Sequence, residues 1–127
     1  MASKLIVKPA GSPSPVGPYN HAVRTGDLLF CSGQIPLDPD TSELVGSDVK
    51  TQTQRVLQNV DLILQDQSLS FANVVKTTVF LTDLQDFPAM NEVYAGYFPK
   101  DFPARSTIQV VALPKGAKVE IEVVAHF

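Results

Sequence analysis

The stretch that decides the fold reads Lys118-Val119-Glu120-Ile121-Glu122-Val123-Val124-Ala125-His126. Every second residue from Val119 to Ala125 is apolar, while the intervening positions include Lys118, both glutamates and His126. Successive side chains of a β-strand point to opposite faces, so this alternation predicts a strand with one buried and one polar face. Two helices cover only one face of a small sheet, so we expect the apolar residues to lie under the helices.

The segment before this strand, Arg105 to Leu113, also alternates and is predicted to be a strand. Its apolar positions suggest a buried set that consists of Ser106, Ile108, Val110 and Ala112. Arg105, Thr107 and Gln109 would then point away from the helices. This interpretation places Arg105 and Glu120 together on the helix-free face, where they could form a polar site.

The spacing of the last two strands leaves one question open. If they formed a simple hairpin around Lys115, Glu120 would face residue 110, and Arg105 would lie about 17 Å further along the sheet. One small ligand could not bridge that distance. Either another strand lies between the two segments, or the pair comes from neighbouring subunits.

The remaining elements follow from local patterns. The first eighteen residues, rich in proline and glycine, predict an extended arm, and two apolar runs around Thr25-Gly26-Asp27 predict a hairpin over 20–35. Helical spacing predicts helices over 49–64, capped by Ser47 or Asp48, and over 86–98. Residues 74–82 alternate as a strand, with Thr77, Val79 and Leu81 on one side. The predicted order is β-β-α-β-α-β-β, an α+β fold in one domain over 1–127.

Composition narrows the possible functions. The 127 residues are 44% hydrophobic and 18% charged, with a formal net charge of −3, which is typical of a folded soluble protein and unfavourable for binding a phosphate backbone. The single cysteine, Cys31, and the lack of metal-ligand spacing around His21 and His126 predict neither an intramolecular disulfide nor a metal site. With no secretory or membrane-spanning segment in the sequence, we expect a cytoplasmic protein that does not bind membranes.

Several segments resemble motifs of one family. Residues 103–110 and 113–122, Pro-Ala-Arg-Ser-Thr-Ile-Gln-Val and Leu-Pro-Lys-Gly-Ala-Lys-Val-Glu-Ile-Glu, closely resemble the C-terminal signature of the RidA (YjgF-type) reactive-intermediate imine deaminases. Residues 17–22, 31–36, 75–81 and 90–94 are similar to further motifs of that family, in the same order. The resemblance covers essentially the whole chain. It implies a chorismate-mutase-like α+β fold, with a mixed sheet and two helices on one face, assembled as a homotrimer with sites between subunits.

The resemblance also implies an activity: hydrolysis of 2-aminoacrylate and related 2-imino acids, such as 2-iminopropanoate and 2-iminobutanoate, to 2-keto acids and ammonia without a cofactor. Arg105 would anchor the substrate carboxylate through two parallel N–H donors, and Glu120 would orient the attacking water or take its proton. The other implied substrate-binding residues are Tyr19, Ser32, Gly33, Asn91 and Thr107. Thr107 stands where many members carry cysteine, so no thiol is required at that position here.

Two other functions are compatible with the same sequence. Relatives have been described as endoribonucleases or translation inhibitors, although the acidic composition disfavours nucleic-acid binding. A non-catalytic trimer that binds metabolites or acts like a chaperone would use the same cleft. Pattern alone favours a solvated strand face for Arg105 and Glu120, and the longer family match reverses that preference.

Overall fold

A computed structural model describes residues 3–127 and shows a mixed sheet with two helices on one face. The strands are β1 (Leu5–Val7), β2 (Ala22–Thr25), β3 (Leu28–Gln34), β4 (Val74–Leu81), β5 (Ala104–Gln109) and β6 (Val119–His126). The helices are α1 (Val49–Asp66) and α2 (Phe87–Ala95). Short 3-10 turns span Phe71–Asn73, Leu84–Asp86 and Pro114–Gly116. The predicted hairpin, both helices and the strand over 74–82 are confirmed.

The sheet has the order β1-β2-β3-β6-β4-β5. Neighbouring strands run antiparallel except β4 and β5, which are parallel. The parallel pair needs a crossover connection, and α2 lies within it. The consequence for the site is that β4 separates β5 from β6, so the last two strands of the chain are not neighbours.

The core lies between the sheet and α1 with α2. The apolar positions of β6 are fully or almost fully buried there, as expected from their alternation. The N-terminus of α1 is capped by Asp48, whose Oδ2 accepts a hydrogen bond from the Thr51 amide at 3.0 Å. Farther along α1, the Asn59 amide donates to the carbonyls of Ile35 and Leu37, which attaches the loop after β3 to the helix.

Two predictions from local pattern were wrong in part. The N-terminal arm is not entirely irregular, since Leu5–Val7 pairs with β2 and adds an edge strand. The predicted burial of β5 is inverted. Ser106 accepts a hydrogen bond from Lys76 on the helix-free face, and Ile108 is 46% exposed. The parallel register, Thr77 beside Arg105 and Val79 beside Thr107, turns those residues of β5 toward the helices instead.

Candidate active site

Arg105 lies at the edge of the sheet beneath α2. Its guanidinium carbon is 4.8 Å from the centre of the Tyr94 ring and 5.3 Å from that of Phe87. Cation–π contact with two rings orients the planar guanidinium while leaving its N–H donors free to bind a ligand. Tyr94 is itself attached to the sheet by a 2.7 Å hydrogen bond between its hydroxyl and Thr77.

Two polar side chains beside Arg105 have buried oxygens that are not satisfied. The Asn91 Oδ1 and Thr107 Oγ1 atoms have no hydrogen-bond partner among residues 3–127. Asn91 and Arg105 line a cleft of about 290 Å³ together with Tyr94, Ala95, Phe102 and Pro103. Buried polar atoms in proteins are normally paired, so the Asn91 oxygen is an unsatisfied acceptor on a residue that lines the cleft, and the Thr107 oxygen is another, two residues from Arg105 on the same strand.

Glu120 lies on the other face of the sheet, against a bulge in β3. Between Cys31 and Gln34 the register with β6 shifts, so that Ser32 and Gly33 together oppose one residue of β6. A β-carbon at Gly33 would lie 2.1 Å from Glu120 Oε2. Glycine is therefore required here for the carboxylate to rest against the backbone.

The electrostatics of Glu120 suit proton transfer. Burial raises the pKa of its carboxyl above the ordinary value, and the negative charge of Glu122 raises it further. A raised pKa brings a carboxyl closer to the pH at which it can both accept and return a proton.

Tyr19 and Ser32 lie beside Gly33, the residue against which this carboxylate rests. Tyr19 and Gly33 line the same narrow crevice, and the Tyr19 oxygen accepts a hydrogen bond from the Val16 amide at 3.2 Å. Its own O–H therefore remains available as a donor. The Ser32 hydroxyl is engaged in a 2.6 Å bond to the Asn20 carbonyl, so it holds the local backbone in place.

The structure thus divides the seven predicted site residues into two groups. Arg105, Asn91 and Thr107 form an arginine group on the helix-covered face, and Glu120, Gly33, Ser32 and Tyr19 form a glutamate group across the sheet. The expectation that Arg105 and Glu120 share the helix-free face of one chain was wrong. The reason is that β5 pairs with β4 and not with β6, and the parallel register of that pair turns the Arg105 side chain toward the helices.

Tyr94 is not among the site residues predicted from the sequence, although its ring helps to orient Arg105. A signal was present in the sequence: Phe87, Asn91 and Tyr94 recur at intervals of four and three residues, which places them on one stripe of α2. The stripe can be linked to Arg105 only through the tertiary structure, which places β5 beneath it.

Within residues 3–127 no three histidine, cysteine or carboxylate side chains are grouped so as to hold a metal ion. In the same range, no helix is both long and apolar enough to cross a membrane.

The fold and the two groups define a class: a small α+β protein with a one-sided sheet, an aromatic-clamped arginine and a half-buried carboxylate. The chain belongs to the family described as Endoribonuclease L-PSP, the YjgF/RidA family, which it matches over residues 10–127.

Relatives in this family carry several names. The chain is 44% identical over 122 residues to the human 2-iminobutanoate/2-iminopropanoate deaminase, covering 96% of this chain and 89% of that protein. It is 46% identical over 123 residues to a RutC family protein of Pyrococcus horikoshii, covering 97% of this chain and 98% of that protein.

Solved structures agree with the fold. A Rid-family protein of Yersinia pestis, YyfA, superposes with a TM-score of 0.95 at 44% identity, covering 98% of this chain and 100% of that one. E. coli TdcF with bound serine superposes with a TM-score of 0.91 at 40% identity, covering 97% and 98%.

Proposed function

We propose that the protein hydrolyses small 2-imino acids to 2-keto acids and ammonia, in sites formed between copies of the chain. The observation that carries the proposal is that the chain has two complementary groups. The Arg105 guanidinium, held by cation–π contacts, can bind a carboxylate, and the Glu120 carboxyl has a raised pKa and rests against Gly33. The human deaminase at 44% identity supports the reaction type, and the serine bound to TdcF supports an amino-acid-sized ligand.

The arginine group would recognise the substrate. Two parallel N–H donors of Arg105 bind the carboxylate and fix its plane, which a lysine could not do. The unpaired Asn91 and Thr107 oxygens lie beside that anchor and would take hydrogen bonds from the ligand or from a bound water.

The glutamate group would handle water and protons. Glu120 takes a proton from water as the oxygen attacks C2 of the N-protonated imine, which gives a neutral tetrahedral amino alcohol. Glu120 then returns that proton to the nitrogen and accepts the hydroxyl proton as the C–N bond breaks, which leaves the 2-keto acid and ammonia, and the ammonia takes up the proton from Glu120 as it departs. The Tyr19 oxygen accepts from the Val16 amide, and its own O–H would donate to the substrate or to the intermediate.

A second copy is needed because the two groups lie on opposite faces of one sheet. Arg105 and Thr107 lie on the edge strand β5 and Asn91 lies on α2, so the arginine group is at an edge of the sheet that a neighbouring molecule can approach. The helix-free face also exposes apolar side chains, including Phe30 and Ile108. Exposed apolar area on one face favours association of subunits. In the proposed homotrimer, Arg105 of one chain meets Glu120 of the next, and no cofactor takes part.

A coupled assay tests the reaction. A threonine or serine dehydratase generates the imine in place, and the decay of the imine is followed with and without this protein. We expect acceleration that increases with protein concentration. Decay at the same rate in both samples, with folded protein present, contradicts the proposal.

The family description names a second candidate, cleavage of RNA. The net charge of −3 is unfavourable for it. Incubating the same preparation with single-stranded RNA distinguishes the two. Cleavage that Glu120→Gln abolishes, without imine hydrolysis, would favour the ribonuclease.

A further inference from the structure

His21 and Gln34 are buried polar residues to which the proposed reaction gives no role. Both are less than a tenth exposed and lie where the N-terminal arm meets β3. The part of the N-terminal arm that concerns these two residues is its last segment, which runs from Pro13 to Tyr19. Their hydrogen bonds connect this arm to the bulge that holds Glu120.

The bonds determine the proton arrangement on His21. The Gln34 amide nitrogen lies 3.1 Å from the Ser32 carbonyl and 3.2 Å from His21 Nδ1. An amide nitrogen has two N–H donors and is not an acceptor, so Nδ1 must accept and carry no proton. The other ring nitrogen, Nε2, then carries the proton and donates it to the Pro13 carbonyl.

On one side, these bonds reach the glutamate group. Gln34 holds the Ser32 carbonyl, and the Ser32 amide donates to the His21 carbonyl at 2.8 Å. Ser32 and Gly33 are the bulge residues, and Gly33 is the residue against which Glu120 rests. A shift of the bulge therefore moves the surface that positions the carboxylate.

On the other side, the same ring holds the arm. Its Nε2 donates a hydrogen bond to the Pro13 carbonyl. The Tyr19 ring packs edge-on against the His21 ring, with ring centroids 6.4 Å apart and ring planes at 86°. The arm between these contacts carries the Tyr19 hydroxyl toward the crevice that Gly33 also lines.

We infer that His21, as the Nε2–H tautomer bonded to Gln34, is a positioning residue that sets the distance between the Tyr19 hydroxyl and the Glu120 carboxylate. This inference rests on the proposed imine hydrolysis for its kinetic consequences. The two ring nitrogens have different roles. Nε2 donates the hydrogen bond that holds the arm, and Nδ1 accepts a hydrogen bond from Gln34, which also holds the bulge.

Replacing His21 by asparagine or by glutamine separates the roles of the two ring nitrogens. His21→Asn offers an acceptor near the Nδ1 position but is too short to reach Pro13, so it releases the arm and should raise KM about tenfold with a smaller change in kcat. His21→Gln reaches toward Pro13 but leaves Gln34 without its acceptor, so it should lower kcat about tenfold with a smaller change in KM. His21→Phe removes both bonds and should show both effects.

The matched control is His126→Phe, which changes the second histidine of the chain at an exposed position at the end of β6. We expect it to keep wild-type kinetics. Thermal unfolding of every variant identifies any that fail to fold, and the Asn and Gln variants keep the test informative if His21→Phe is one of them.

Nuclear magnetic resonance provides two readouts that need no turnover. Nitrogen-15 shifts of the His21 ring in wild-type protein should show a bare Nδ1 and a protonated Nε2. Carbon-13 titration should show the Glu120 carboxyl titrating at lower pH in His21→Phe than in wild type, because a displaced bulge exposes it to water.

The outcomes separate this inference from the proposed function. If wild-type protein lacks imine turnover, the proposed function fails, while the ring tautomer and the Glu120 titration still test the link. If wild-type protein is active and folded His21→Asn and His21→Gln variants share its KM, kcat and Glu120 titration, the inference is overturned. A protonated Nδ1 in wild type also overturns it.

Discussion

Arg105 and Glu120 project from opposite faces of one sheet, with β4 between the strands that carry them. Adjacent strands are about 4.8 Å apart, so β5 and β6 are separated by about 10 Å before the opposite directions of the side chains are counted. A three- or four-carbon acid cannot touch both groups within one chain. Any reaction that uses both must therefore use two copies.

Mixing two inactive variants tests this directly. Arg105→Ala keeps Glu120, and Glu120→Gln keeps Arg105. After unfolding and refolding together in equal amounts, random assembly should give one intact Arg–Glu site in four, so about a quarter of wild-type activity returns. Each variant refolded alone is the control, and a mixture no more active than those controls would argue against a shared site.

Replacing Arg105 by lysine keeps the charge and removes the forked donor. We expect Arg105→Lys to lower kcat/KM for 2-iminopropanoate about a hundredfold, because one ammonium cannot hold both carboxylate oxygens in a fixed plane. Lys76→Arg, which exchanges the same two residue types on the other face of β4, is the reciprocal control. Near-normal turnover by Arg105→Lys would remove the guanidinium from the mechanism.

The pH dependence of turnover should respond to Glu122. Glu122 adds a negative charge that raises the pKa of Glu120, so Glu122→Gln removes one cause and lowers that pKa. If Glu120 acts as a base, its ionised form then persists to lower pH, and the acid limb of the kcat profile shifts to lower pH. Glu43→Gln, at an exposed loop position, should leave the profile in place. An unshifted limb in Glu122→Gln would assign that limb to another group.

Gly33→Ala should lower turnover with little loss of stability. The added methyl would meet Glu120 Oε2 at 2.1 Å, and the flexible carboxylate can swing away at low cost to the fold but loses its position. We expect kcat to fall at least about tenfold with the melting temperature nearly unchanged. Gly96→Ala is the control, because its new methyl meets only the Val93 carbonyl oxygen at 3.5 Å.

Two buried threonines should respond oppositely to the same substitution. Thr53 and Thr77 are both 0% exposed, but Thr77 bonds the Tyr94 hydroxyl while the Thr53 hydroxyl has no partner among residues 3–127. Thr53→Val should stabilise the protein by about 1 kcal/mol, since it removes an unsatisfied polar group. Thr77→Val should destabilise it by about 1–3 kcal/mol by leaving the tyrosine hydroxyl unpaired. Denaturant unfolding measures both, and the same sign for the two would contradict this account.

Local pattern was sufficient for much of the fold. The alternation in β6 correctly identified which of its residues are buried, helical spacing located both helices, and the turn signal around Gly26 located the hairpin. These features depend on neighbours in sequence, because period and capping are properties of a few consecutive residues. The three-residue strand β1 escaped notice because Leu5–Val7 is too short to show a period and is defined by its pairing with β2.

The sequence predicts chemical roles for Arg105 and Glu120 from their residue types within a long motif match, and those roles stay predictions. Their relative placement was decided only by tertiary structure. The face to which each β5 side chain points depends on the register of β5 against β4, a strand that ends more than twenty residues earlier in the chain. A one-residue shift in that register would turn every β5 side chain to the opposite face of the sheet. The seating of Glu120 on Gly33 likewise depends on a bulge that arises where β3 pairs with β6. Residue identity therefore determined what each group can do, and long-range strand pairing determined which groups can act together.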